Sequence, residues 1–218
     1  MNKVMTLKDQ VYEYIADEIR QGSLLPDQKI NENTICEQLN ISRTPVREAL
    51  IQLAAEGVLE NKARRGFVLK PMSQGGAKEL YELIGTLDGL AAKKACGKLS
   101  EDDYADMDFY IQTMELAVQS RNYQMYYKQQ IQFHQTYVLK CGSQSLIDCI
   151  LQYKKKLLAK TYMDDRQGKV HQLLIDTNQE HRHILELFRQ KKAEELFRYL
   201  AEVHWNPEYA AYDISVSQ

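Results

Sequence analysis

Residues 41–57 constrain the fold more than any other stretch of this chain. Val46, Leu50 and Leu53 recur at helical spacing, which leaves Arg43, Thr44 and Arg47 on the opposite side, facing solvent. Thr44 can cap a helix and Pro45 can occupy its first position, where a missing N–H is no loss, so the spacing predicts a helix that starts there and runs to about Ala55. Asn40-Ile41-Ser42-Arg43 makes a tight connection from a shorter helix, capped by Asn31 and carrying Ile35 and Leu39. An earlier helix is marked by Leu7, Val11, Ile15 and Ile19, with Gly22 where a C-cap glycine belongs. After Glu56-Gly57, Val58-Leu59-Glu60-Asn61 and Gly66-Phe67-Val68-Leu69 read as two short strands joined by the basic tip Lys62-Ala63-Arg64-Arg65. Three helices followed by a basic hairpin describe a winged helix-turn-helix.

A formal net charge of −2 disfavours a nucleic-acid partner at first sight, because phosphate binding needs positive potential. The charge is unevenly placed, however. Residues 42–70 hold Arg43, Arg47, Lys62, Arg64, Arg65 and Lys70 against Glu48, Glu56 and Glu60, a local excess of about +3. A recognition helix needs its N-terminal residues free to reach base edges. An arginine there can fork onto guanine O6 and N7 or clamp a phosphate, although a surface arginine taken alone is ordinarily just a solvated charge.

The pattern resembles the GntR family of bacterial regulators. The residues that carry the resemblance are Ile19, Gly22 and Pro26, then Ile30 and Glu32, then Leu39 and Ile41-Ser42-Arg43-Thr44-Pro45-Val46-Arg47-Glu48-Ala49-Leu50 with Leu53 and Glu56-Gly57, and finally Arg65-Gly66 with Val68. They span about a third of the chain. The resemblance implies that Arg43, Thr44 and Arg47 contact operator DNA and that Gly66 is a wing glycine approaching the minor groove. The expected DNA-binding set is Ser42, Arg43, Thr44, Pro45, Arg47, Arg64, Arg65 and Gly66.

Pro71-Met72-Ser73-Gln74-Gly75-Gly76 interrupts both periodicities, giving an expected division into a DNA-binding domain at 1–71, a linker at 72–76 and a helical domain at 77–218. Beyond the linker, apolar spacing marks about six helices, near 77–97, 101–119, 122–141, 144–164, 168–190 and 192–205, and strand signals are absent. The expected fold class is therefore mainly α, a winged helix-turn-helix followed by an all-α bundle. The scattered Cys36, Cys96, Cys141 and Cys149 include no CxxC pair and are expected to be buried thiols. The opening MNKVMTLKDQ lacks the apolar core of a signal peptide, and no apolar run reaches membrane-spanning length, so a cytoplasmic protein is expected.

The region beyond Pro71 resembles the FCD-type ligand-binding domain that defines the FadR-like branch of GntR regulators. Two motifs carry this: Gln130-Ile131-Gln132-Phe133-His134, and Glu180-His181-Arg182-His183-Ile184-Leu185-Glu186 with His204 following. The resemblance implies a site for zinc, nickel or manganese built from His134, His181 and His204, with Gln130 where many members carry an Asp. Residues at i and i+4 share a helix face, so Gln130 and His134 are suitably spaced for one site. Replacing a carboxylate by an amide removes an anionic donor and should weaken metal binding. His183 falls on a different face from His181, and His171 lacks a partner at suitable spacing, so neither is expected to be a ligand.

A second departure is in Leu83-Ile84-Gly85-Thr86-Leu87-Asp88, which offers no arginine where many members meet an effector carboxylate. Tyr123, Tyr126, Tyr127, Tyr137, Tyr153 and Tyr162 are expected chiefly to pack, with a polar-edged pocket as the other use of their hydroxyls.

The expected function is a DNA-binding transcription regulator, a homodimer on a pseudo-palindromic operator, controlled by a small-molecule effector: an organic acid bound at or near the metal. Two other readings are a constitutive dimeric DNA-binding protein and a metal-dependent enzyme. The latter lacks an HExxH or similar signature that would nominate a general base.

Overall fold

The computed structural model describes residues 6–20, 23–159 and 169–210, which form two compact units. Gly22 and Tyr162 lie outside the described residues.

Among the described residues the first unit comprises 6–20, 23–74 and 154–159. Helix α1 (Leu7–Arg20) begins with a reciprocal cap: Thr6 Oγ1 accepts from the Asp9 N–H at 3.1 Å, and Asp9 Oδ2 accepts from the Thr6 N–H at 3.0 Å. Asn31 caps α2 (Glu32–Leu39) by accepting from the Asn33 N–H, and Asn40 ends it in a left-handed conformation at φ 51°. Helix α3 spans Arg43–Ala55 with Ser42 as its N-cap residue, so it starts two residues before the position expected from Thr44 and Pro45. Pro45 still lies in the first turn, where N–H groups have no helical partner, which is why the earlier start is tolerated.

Strands β1 (Leu59–Lys62) and β2 (Gly66–Leu69) pair antiparallel, with Leu59 opposite Leu69 and Lys62 opposite Gly66. The segment before α2 also lies along β2: Lys29 bridges Val68, and the Ile30 N–H donates to the Phe67 carbonyl at 2.9 Å. That single bridge carries no alternating pattern and was not visible as a strand. Val11, Ile15, Ile19, Ile35, Val46, Leu50, Leu53, Leu59 and Phe67 form one buried core, so the apolar stripes of all three helices converge on it.

Among the described residues the second unit comprises 75–153 and 169–210. Its helices are α4 (Gln74–Ala95), α5 (Glu101–Gln119), α6 (Tyr123–Val138), α7 (Gln144–Lys155), α8 (Lys169–Arg189) and α9 (Ala193–Tyr199). Helix α4 begins at Gln74, inside the expected linker, because Gly75 and Gly76 are accommodated in its first turn. The 3-10 turn over Lys156–Ala159 that follows α7 belongs to the first unit, and residues 160–164 of the expected fourth helix lie outside the described residues.

Ser100 and Asp103 form a capping box on α5, and Lys140 Nζ donates to Asp103 Oδ1 at 2.6 Å. Helix α9 does not run straight to residue 205 but passes into a π turn over Leu200–His204. Two glycines let this region approach α4 closely. A Cβ on Gly89 would lie 2.7 Å from the Phe197 carbonyl oxygen, and one on Gly85 would lie 2.8 Å from Trp205 Cβ. Of the cysteines only Cys141 is buried, while Cys149 is exposed because it falls on the solvent face of α7. Among the described residues no helix is long and apolar enough to cross a membrane.

Candidate nucleic-acid interface and histidine centre

The apolar stripe Val46, Ala49, Leu50 and Leu53 pins α3 into the core of the first unit, which leaves the start of the helix outward. Ser42, Arg43, Thr44 and Arg47 are exposed and Pro45 is half-buried. Arg43 Nη2 donates to Asn33 Oδ1 at 2.6 Å, tying the first turn of α3 to α2. At the hairpin, Arg64 is exposed with φ 65°, and Gly66 has φ 81°, a conformation that favours glycine. The basic tip is not wholly free. Lys62 Nζ lies 2.6 Å from Asp27 Oδ1, and Arg65 Nη2 donates to the Asp27 carbonyl at 3.1 Å. The Lys62 hydrogen bond holds the Asp27 carboxyl below its usual value. Arg64 lies between Lys62 and Arg65 in the exposed turn that joins the strands.

In the second unit the described residues bring together three of the four expected metal-site side chains by direct geometry. One ring nitrogen from each of His134, His181 and His204 lies within 4.8 Å of the others, and all three residues are buried. Each comes from a different element: α6, α8 and the π turn after α9. The wide turn allows adjacent His204 and Trp205 both to face inward, at 6% and 4% exposure. Gln130, one turn before His134 on α6, is buried, and its Oε1 has no hydrogen-bond partner. His183 is exposed and stacks near Tyr199, while His171 lies beside the Tyr123 hydroxyl at 3.5 Å; neither joins the cluster.

The hydrogen bonds behind the rings decide which nitrogens face the centre. Asp88, fully buried on α4, accepts from the Tyr137 hydroxyl at 2.8 Å and from Trp205 Nε1 at 2.9 Å. His134 Nδ1 lies 2.9 Å from the same Asp88 oxygen and 2.6 Å from the Tyr137 hydroxyl. Because Tyr137 donates its proton to Asp88, Nδ1 of His134 must carry the hydrogen. His204 Nδ1 similarly meets Glu180 Oε2 at 2.8 Å. His134 then turns an unprotonated Nε2 inward, 3.2 Å from Nε2 of His204.

With Glu180 ionised, the hydrogen of His204 sits on Nδ1 and two Nε2 lone pairs face each other, an arrangement that a cation between them relieves; with Glu180 protonated, His204 can instead donate through Nε2 to His134. The distance matches the edge of about 3.3 Å expected for nitrogens on a tetrahedral ion at 2.0–2.1 Å. The donor set thus fits a divalent transition metal.

Burial, with Asp176 adding to it, raises the Glu180 carboxyl to about 7. Burial and the Asp88 charge push the Tyr137 hydroxyl well above its ordinary value, so it stays a donor.

Asp88, Glu180 and Trp205 were missed as site residues. The available signal was Asp88 itself, a charge at i+4 from Ile84 on the apolar stripe of a helix, where an acid is rarely buried without partners. A groove of about 490 Å³ between α5 and α8 is lined by Glu115, Val118, His171, Ile175, Asn178 and Arg182. Of the tyrosines singled out, Tyr126 and Tyr137 are buried in the core, and Tyr123, Tyr127 and Tyr153 are half-buried.

Comparison with known proteins agrees with both halves. The profile of "Bacterial regulatory proteins, gntR family" matches residues 7–69, and that of the FCD domain matches residues 79–204. The chain is 27% identical over 171 residues to the Nta operon transcriptional regulator of Aminobacter aminovorans, covering 78% of each. It is 21% identical over 163 residues to the HTH-type transcriptional repressor RspR of Escherichia coli, covering 75% of this chain and 72% of that protein. In fold it is similar to E. coli McbR/YncC, with a TM-score of 0.82 at 19% identity over 96% of this chain and 98% of the other. A polar-faced α3 above a dry core, a basic hairpin, and a helical unit matching the FCD profile over more than half of the sequence together make this chain a transcription regulator, not an enzyme: it belongs to the gntR family of bacterial regulatory proteins, in the branch whose second domain is FCD.

Proposed function

We propose that the chain acts as a homodimer whose two winged helices read the half-sites of a pseudo-palindromic operator, under the control of an organic acid bound at a metal in the helical domain. The supporting observation is the histidine centre, where two inward Nε2 atoms lie 3.2 Å apart, each backed by a carboxylate. A divalent zinc, nickel or manganese ion held by His134, His181 and His204 would supply a Lewis-acidic point for an effector carboxylate. Cα-level helix geometry is not enough for such a site; the outer hydrogen bonds fix the ring orientations.

On the DNA side, Arg47 and Thr44 are the base-reading candidates. Ser42 and Pro45 set the start of α3, Arg43 joins that start to α2, and Arg64, Arg65 and Gly66 form the wing. The effector acts only through unequal affinity for the DNA-competent and DNA-incompetent states.

The test begins by selecting bound duplexes from a random library and fitting their symmetry. Anisotropy titration of the selected duplex then follows, with and without zinc, nickel or manganese and a panel of mono-, di- and tricarboxylic acids. An inverted repeat, and a change in duplex affinity with metal and at least one acid together, supports the reading. Undiminished affinity in an Arg47→Ala protein overturns the DNA assignment, and indifference to every metal and acid overturns the control mechanism.

A further inference from the structure

We propose that Asp88 and Glu180, acting through His134 and His204, supply the negative charge that Gln130 leaves out of the metal's own ligand set. The inference rests on the metal reading above. Three neutral imidazoles and a neutral amide give a bound divalent ion no anionic donor, which is unfavourable in a buried site where water cannot screen the charge. The carboxylates are instead one hydrogen bond further out. Asp88 Oδ2 is 2.9 Å from His134 Nδ1, and Glu180 Oε2 is 2.8 Å from His204 Nδ1, on the sides of the rings facing away from the 3.2 Å gap between the Nε2 atoms.

A carboxylate accepting from Nδ1–H draws the proton toward itself and makes Nε2 a more basic donor, so each one strengthens a metal–nitrogen bond without touching the metal. Asp88 has no exposure and also accepts from Tyr137 and Trp205, donors that stabilise it as an anion. Tyr137 and Trp205 thereby tie α6 and the segment after the π turn to the same oxygen that orients His134. Asp88 and Glu180 are positioning residues. They come from α4 and α8, so four elements of the bundle must be in register before the centre is complete.

The test is a metal titration of the full, tag-free chain, with zinc affinity read by competition with a chromophoric chelator and geometry read from the visible absorption of the cobalt(II) form. Asp88→Asn is expected to weaken zinc roughly 10- to 100-fold, the range for outer partners of metal-bound histidines. Glu180→Gln, at the edge of the site, should also weaken it but less.

Adding Gln130→Asp to either variant should restore affinity by returning an anion to the inner set, with a shift in the cobalt spectrum that a merely structural rescue would not produce. If Asp88→Asn fails to fold, Glu180→Gln and its Gln130→Asp rescue carry the test alone. Wild-type affinity in the folded single variants, or no rescue by Gln130→Asp, overturns the inference while leaving the metal site standing. Failure of the unaltered chain to bind zinc, nickel or manganese overturns the metal reading and this inference with it.

Discussion

The two units place their polar chemistry on opposite sides of their cores. In the first, α3 buries Val46, Ala49, Leu50 and Leu53 and holds Arg47 and Thr44 in solvent, so the core is dry and the groups proposed to meet DNA lie outside it. In the second, α6, α8 and the turn after α9 bury His134, His181, His204 and Gln130 among Phe133, Tyr137 and Trp205. A surface that meets a polyanion gains by exposure, since every contact is made on binding. A site for one ion or a small acid gains by excluding water, and must satisfy its polar atoms internally. The lesson is that changing a functional group should separate binding from stability in the first unit and couple them in the second.

That contrast can be broken in several ways, beginning with the largest effect. Leu50→Ala, at a position with no exposure, should destabilise the first unit by about 2–5 kcal/mol, measured by urea or thermal unfolding, because α3 loses the contact that aims it. Gly89→Ala should cost about 1–3 kcal/mol by forcing α4 from the Phe197 carbonyl, and because α9 leads into the turn bearing His204 it should weaken metal binding in the same protein. Unchanged stability with unchanged metal affinity there would show that the second unit yields more easily than its packing implies.

Arg47→Ala should weaken binding to a selected duplex by about 1–3 kcal/mol, roughly 5- to 150-fold, with the melting temperature unmoved. A matching fall in melting temperature would mean that Arg47 serves the fold.

The smallest effect is at the start of α5. Burial acts to raise the Asp103 carboxyl, but hydrogen bonds from Lys140 and Ser100 outweigh it and the net shift is downward. The associated stability is therefore present above the ordinary carboxylate value of about 4 and is lost as pH falls through the lower folded value. Asp103→Asn should flatten the acid limb of a melting-temperature profile, and Ser100→Ala should lower stability by about 1 kcal/mol at neutral pH.

The sequence was most legible where structure is local. The stripes of α1 to α3, the Asn31 cap and the strand pair depend on neighbours within a few residues, and their spacing was enough to place them to within about two positions. The start of α3 was missed because Thr44 and Pro45 are good signals for a helix start, and only the extended backbone at Ser42 fixes which residue takes the cap. The turn at the end of α9 was missed because a π turn has no period of its own in so short a run.

For the histidine centre, the resemblance singled out His134, His181, His204 and the anomalous Gln130. What it did not identify were the groups behind the rings.

By itself, then, the sequence determined the helical stripes, the winged hairpin and its positive charge, and the three histidines, because each is written in residues close together or in a recognisable motif. Tertiary structure alone decided that Asp88, 46 residues before His134 in the chain, stands at its Nδ1, that Glu180 stands at His204, and that two imidazole nitrogens face each other across 3.2 Å. Those relations join α4, α6, α8 and the turn after α9. No local pattern encodes them, because they exist only once three helices and the turn after α9 have been brought to one point by the burial of their apolar faces.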